Sequence, residues 1–212
     1  MLVEKSLREY TMEVASDNPT PGGGSVAALV GSIGGALTNM VGNLTIGKKV
    51  YEDVPEKFRE KMQRNAKQIE DVVQNLLKIV DEDSTAFDDV MEAFKLPKNT
   101  EEEKQIRSKA IQKGYKKALE VPIRCARECY KVLELQDVFA EYGNVNAITD
   151  VGVGTLLAYS GLEGALFNVI INLKGIKDES YKNQTKTEVD LLLDKGKKLK
   201  EELLKTVYHR LG

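Results

Sequence analysis

No charged residue occurs between Asn18 and Gly47, and glycine recurs along that stretch from Gly22 to Gly47. An apolar run of this length needs either a bilayer or a protein core around it. It also holds Ser25, Ser32, Thr38, Asn39, Asn43 and Thr45, and it is followed by Lys48-Lys49 and then Glu52-Asp53. Hydroxyls, amides and mixed-charge flanks favour a buried helix over a membrane span. Gly24, Ala28, Gly31, Gly35, Thr38 and Gly42 step by four, three, four, three and four, so they line one helix face that is almost free of side chain. Another backbone can approach such a face closely, at about 1 kcal/mol per interior glycine relative to alanine.

The rest of the chain reads as helix too. Leu2 to Val14 predicts a short helix or arm. Ser16 to Ser25, with two prolines and three glycines, is turn chemistry, and Ser25 is expected to cap a helix from Val26 to about Tyr51. Pro55 opens a second helix, expected to run to Leu96-Pro97. Thr100 before Glu101-Glu102-Glu103 predicts a capped third helix, kinked at Pro122 and continuing through Leu133. A loop at Glu141–Asn146 leads into a second nearly charge-free helix, Val151 to Leu173, bearing Gly152, Gly154, Gly161 and Gly164. After Gly175 a last amphipathic helix is expected from about Asp178 to Leu211. No stretch alternates with a period of two. The expected architecture over residues 1–212 is one all-α domain, an antiparallel helix bundle with two central glycine-rich helices and four charged helices around them.

Composition narrows the chemistry. A net charge of −2 gives no general drive toward nucleic acid or anionic membrane. With two cysteines and one histidine, one chain cannot build the usual zinc site. His209 lies near the chain end, a poor place for a Ser–His–Asp arrangement. Cys125 and Cys129, four apart in a helical pattern, read as packed thiols. Met1 to Ser6 show no signal-peptide pattern, which with free thiols predicts the cytoplasm. Carboxylates, lysines, hydroxyls and amides remain as the working groups.

Asp83 stands out among them. Leu76, Val80, Asp83, Phe87, Val90 and Phe94 follow one helical stripe, so Asp83 interrupts an apolar face while Asp81, Asp88 and Asp89 point elsewhere. An inward carboxylate needs a partner. It is either a structural partner for a lysine or a neighbouring helix end, or a proton-transfer group with a raised pKa. Gly22, Gly23, Gly24 and Ser25 present backbone N–H groups at a helix start, where a plain helix start and an anion or carbonyl site compete. Lys48 and Lys49 fit a helix C-terminus and could equally hold carboxylates. Asn144 and Asp150 cluster before the second glycine-rich helix, and Asn168 and Asn172 share one of its faces.

Pro19–Ala28, Val80–Phe87, Leu96–Thr100 and Phe167–Leu173 together resemble the cyclodeaminase/cyclohydrolase family of folate enzymes, in order and over nearly the whole chain. The resemblance is to the cyclodeaminase domain of the two-domain formimidoyltransferase-cyclodeaminases, standing alone. It implies a helical homodimer with a folate groove near the subunit contact. It implies ring closure of 5-formimidoyltetrahydrofolate to 5,10-methenyltetrahydrofolate with loss of ammonia, the activity known from histidine degradation. Asp83 matches the family's proposed catalytic aspartate. Gly22, Gly23, Gly24, Ser25, Asn144, Asp150, Asn168 and Asn172 carry over as substrate contacts. Lys48 and Lys49, in place of a frequent arginine, carry over to the glutamate tail, mono- or polyglutamylated. No cofactor beyond the folate and no metal is implied, and a separate formimidoyltransferase would supply the substrate. The alternative reactions are methenyltetrahydrofolate hydrolysis to 10-formyltetrahydrofolate, or folate binding without catalysis.

Overall fold

A computed structural model describes all 212 residues. Its α-helices are α1 (Leu7–Val14), α2 (Gly23–Asn43), α3 (Glu56–Thr85), α4 (Asp88–Lys95), α5 (Glu101–Leu135), α6 (Asp137–Tyr142), α7 (Ile148–Asn172) and α8 (Glu179–Leu211), with no strand. Start signals are obeyed where the side chains are free to serve the local backbone. Ser6 and Glu9 form a capping box on α1, Thr100 and Glu103 form another on α5, and Asp178 caps α8.

The expected boundaries fail at three places. α2 ends at Asn43, well short of Tyr51, because the chain turns through Gly47 at φ +71°, a conformation that favours glycine. The helix expected to reach Leu96 breaks between α3 and α4. There the Ser84 and Thr85 hydroxyls donate to the carbonyls of Asp81 and Glu82 and compete with the helical ladder. The expected loop at Glu141 is shorter, because α6 continues to Tyr142.

α2 and α7 run antiparallel at backbone contact distance. A Cβ on Gly34 would stand 2.7 Å from the Gly154 oxygen, and one on Gly161 would stand 2.7 Å from the Ala27 oxygen. The bare face of α2 meets the α7 backbone at Gly31, whose Cα would stand 3.1 Å from a Cβ on Gly161. Side chains fill much of the rest of it: Val73 and Val132 lie over Gly35, Phe139 lies over Gly42, and the Asp83 carboxylate lies over Gly24. The contact with α7 also uses the adjoining face, through Ala27 and Gly34. Cys125 and Cys129 are free, buried thiols. Their mutual hydrogen bond, together with burial, pushes the Cys129 thiol far up, so it stays protonated and inert.

Gln136, fully buried just after α5, ties the glycine-rich pair together. Its Nε2 donates to Thr38 Oγ1 at 2.6 Å on α2, and its Oε1 accepts from Thr155 Oγ1 at 3.1 Å on α7. Gln136→Ala removes both bonds and leaves a cavity. It is expected to cost about 2–4 kcal/mol, read as a lower urea midpoint with an unchanged slope.

Enclosure of the glycine-rich pair is one-sided. α3 and α5 pack on α2, and α5 and α8 pack on α7. Ile33 and Met40 of α2, Leu44 just after it, and Val153, Leu156 and Phe167 of α7 remain exposed, Phe167 at 63%. Both helices are apolar and long enough to cross a bilayer, yet 56% of that stretch of α2 is buried within the chain.

Candidate functional site

Asp83 lies in the last turn of α3, on the stripe that carries the buried Leu76 and Val80. Its Oδ2 accepts the Ser25 backbone N–H at 2.8 Å, so the carboxylate caps α2 from another helix. The two readings of Asp83 meet here, since it serves a neighbouring helix end and still keeps Oδ1 without a partner in the chain. Burial pushes its pKa up, and the Ser25 N–H pulls it partly back.

Only glycine permits this approach. A Cβ on Gly24 would lie 2.6 Å from Asp83 Cγ. Ser25 is not the cap that its position predicts. α2 begins one turn earlier with Gly22 at the cap position, and the Ser25 hydroxyl donates to the Val80 oxygen at 2.9 Å. With that proton committed, Tyr10 of α1 must be the donor in the 2.9 Å contact between its hydroxyl and Ser25 Oγ. Burial raises the Tyr10 pKa, and the Asp83 charge raises it further. Tyr10 was not legible as a site residue, because nothing in its own helix signals a partner on α2. The Gly23 and Gly24 N–H groups, first in α2, have no intrahelical acceptor.

From the other side, Asn168 Nδ2 comes within 3.6 Å of a Cβ position on Gly23 while donating to the Gly164 oxygen at 2.9 Å. Asn172 follows one turn on, at the end of α7. Asp83, Gly22 to Ser25, Asn168 and Asn172 thus gather at one end of the bundle. One carboxylate of raised pKa, free N–H groups and amides surround this end, a set suited to moving one proton beside a polar heterocycle.

The family model for formiminotransferase-cyclodeaminase matches residues 6–191. The chain belongs to this family. Among cyclodeaminase-family relatives, a methenyltetrahydrofolate cyclohydrolase of Methylorubrum extorquens is 40% identical over 212 residues and the whole of both chains. The formimidoyltransferase-cyclodeaminase of Mus musculus is 36% identical over 92% of this chain, which spans only 36% of that protein. The crystal structure of formiminotetrahydrofolate cyclodeaminase from Thermotoga maritima superposes with a TM-score of 0.85 at 29% identity, over all of both chains.

The family resemblance joins more residues than one chain brings together. Lys48, Lys49, Asn144 and Asp150 stand at the opposite end of α2 from Asp83, about 30 Å away at 1.5 Å per helical residue. Lys48 and Lys49 are exposed in the turn after α2. Asn144 is used up structurally. Its backbone N–H donates to Thr45 Oγ1 at 2.8 Å, its Nδ2 to the Leu44 oxygen at 3.2 Å, and its Oδ1 accepts from Asn146 N at 3.0 Å. Within one chain it fastens the end of α2 to the start of α7 and does not join the Asp83 cluster.

Proposed function

We propose that this chain makes and breaks the one-carbon bridge between N5 and N10 of tetrahydrofolate, and that its main reaction is hydrolysis of 5,10-methenyltetrahydrofolate to 10-formyltetrahydrofolate. The observation that carries the chemistry is the Asp83 carboxylate, one oxygen held by the Ser25 N–H and the other free at a helix N-terminus. Water adds to the bridging carbon as Asp83 takes one of its protons. The adduct then loses its hydroxyl proton to solvent, the bond from N5 to carbon breaks, and N5 takes the proton from Asp83. The amides and free N–H groups hold the heterocycle in place meanwhile.

Cyclodeamination, the reaction placed first on sequence alone, is the second reading. There N10 attacks the formimidoyl carbon, its proton passes through Asp83 to the departing nitrogen, and ammonia leaves. The Thermotoga maritima likeness favours it, whereas the Methylorubrum extorquens relative, at higher identity over full length, favours hydrolysis. Purified protein is expected to consume methenyltetrahydrofolate, read by loss of its absorbance. Faster ammonia release from 5-formimidoyltetrahydrofolate would reverse the order, and binding of folate with neither reaction would remove both.

A homodimer completes this reading. The open apolar stripe of α2 and α7 supports a second copy packed there. A two-fold axis crossing the helices would set the Lys48-Lys49 end of that copy beside the Asp83 end of the first. Phe167→Asp is expected to give a folded monomer by sedimentation with activity reduced at least about tenfold. A wild-type monomer at micromolar concentration would contradict the shared groove.

A further inference from the structure

We propose that Tyr10 is a positioning residue for the reaction: its hydroxyl latches α1 to Ser25 and so holds Ser25 where its backbone N–H orients the Asp83 carboxylate. This rests on the folate reading above and adds to it a residue that acts through Ser25.

Little else holds α1. Tyr10 is its buried residue, whereas Leu7 and Met12 are exposed. The other side-chain bonds of this segment stay local: Ser6 with Glu9, Lys5 with Glu13, and Thr11 with the Leu7 oxygen. Upstream, the Leu2 N–H donates to Asp81 near the end of α3, so the arm runs from the end of α3 to the start of α2. A phenylalanine ring would fill the same space as the tyrosine ring. What the hydroxyl adds is the 2.9 Å bond to Ser25 Oγ. Burial and the Asp83 charge keep the phenol protonated, so it remains a donor.

The bond matters because Ser25, itself fully buried, joins three helices. Its Oγ accepts from Tyr10 on α1 and donates to the Val80 oxygen on α3 at 2.9 Å. Its backbone N–H, in the first turn of α2, donates to Asp83 Oδ2 at 2.8 Å. The end of α3 is weak by itself. The Ser84 and Thr85 hydroxyls turn back on the Asp81 and Glu82 carbonyls, and the helix stops at Thr85. Without outside support such a turn frays, and Asp83 moves with it. A carboxylate tied by one oxygen and free at the other meets its substrate in one orientation. A displacement of about 1 Å can cost about 10²-fold in rate. The groups that would hold the heterocycle, on α2 and α7, are untouched by that displacement, so binding should survive it.

The test separates rate from binding. For Tyr10→Phe, kcat of the faster of the two folate reactions is expected to fall at least about tenfold. Its KM, and its calorimetric affinity for 5-formyltetrahydrofolate, an unreactive folate, should stay within about twofold of wild type, with the helical circular dichroism unchanged. Ser25→Ala breaks the same bond from the other side and keeps the backbone N–H. It is expected to lose at least as much in kcat, and the double variant no more than Ser25→Ala alone. Normal kcat in Tyr10→Phe, a loss of affinity in place of kcat, or losses that multiply in the double variant would overturn the latch and leave the folate reading standing. So would a Tyr10→Phe chain that loses its helical signal, since the hydroxyl would then serve the fold as a whole. A wild type with neither folate reaction would overturn both.

Discussion

Asp83→Asn is expected to lower kcat by about 10²- to 10⁴-fold while leaving the fold intact. Asparagine keeps the size of the side chain and can accept the Ser25 N–H through its own oxygen, so the cap on α2 survives. What it cannot do is take a proton from water or N10 and return it. The same variant should be more stable than wild type at neutral pH. Burial raises the Asp83 pKa in the folded chain above the ordinary carboxylate value near 3.9, so the folded state holds its proton more tightly than the unfolded state. The stability this contributes is fully present below about pH 3.9 and is lost as pH rises through the folded pKa. The gap in Tm between Asp83→Asn and wild type is therefore expected to widen from acidic to neutral pH. A variant with near-normal turnover would remove Asp83 from the chemistry. A gap that is flat with pH would mean that burial does not disfavour its charge.

The second large effect concerns the contact between α2 and α7, and two substitutions in one helix separate its causes. A Cβ on Gly161 would meet backbone on α2, at 2.7 Å from the Ala27 oxygen and 3.1 Å from Gly31 Cα, with Cys129 Sγ at 2.9 Å. Backbone in two packed helices cannot step aside, so Gly161→Ala is expected to cost about 3 kcal/mol and lower Tm by about 6–12 °C. On Gly164 the nearest atom to an added Cβ is the Ala27 Cβ at 3.4 Å, an ordinary contact. Gly164→Ala is expected to be neutral or to stabilise by up to about 1 kcal/mol through helix propensity. Equal Tm values for the two variants would mean that the helices are not in backbone contact at Gly161.

The sequence made the inward position of Asp83 legible because periodicity records which way a residue faces. It did not record what the residue would meet. The carboxylate reached the start of α2, which displaced Ser25 from the capping role its position implied and turned its hydroxyl toward Val80 and Tyr10. Helix ends were read less well for a related reason. Gly47 could sit in or beyond a helix by composition, and only its positive φ fixes the turn that ends α2 early. Ser84 and Thr85 have moderate helix propensity, yet their hydroxyls compete for the carbonyls that would continue α3.

The position of Lys48 and Lys49 is the most instructive. Local signals put them at a helix end, and the family resemblance put them on the substrate. The distance along α2 shows that both cannot be served by the same chain that supplies Asp83. A residue assigned by likeness carries no record of which subunit supplies it.

The central claim is that the reacting end of a folate lies between Asp83 and the first turn of α2. A crystal structure of the protein with 5-formyltetrahydrofolate tests it most directly. The account predicts the region of N5 and N10 within hydrogen-bonding reach of Asp83 Oδ1 and the Gly23 or Gly24 N–H, with Asn168 beside the pterin. A folate seated instead in the pocket between α6 and α8, lined by Phe58, Glu141, Tyr142 and Leu203, would contradict it.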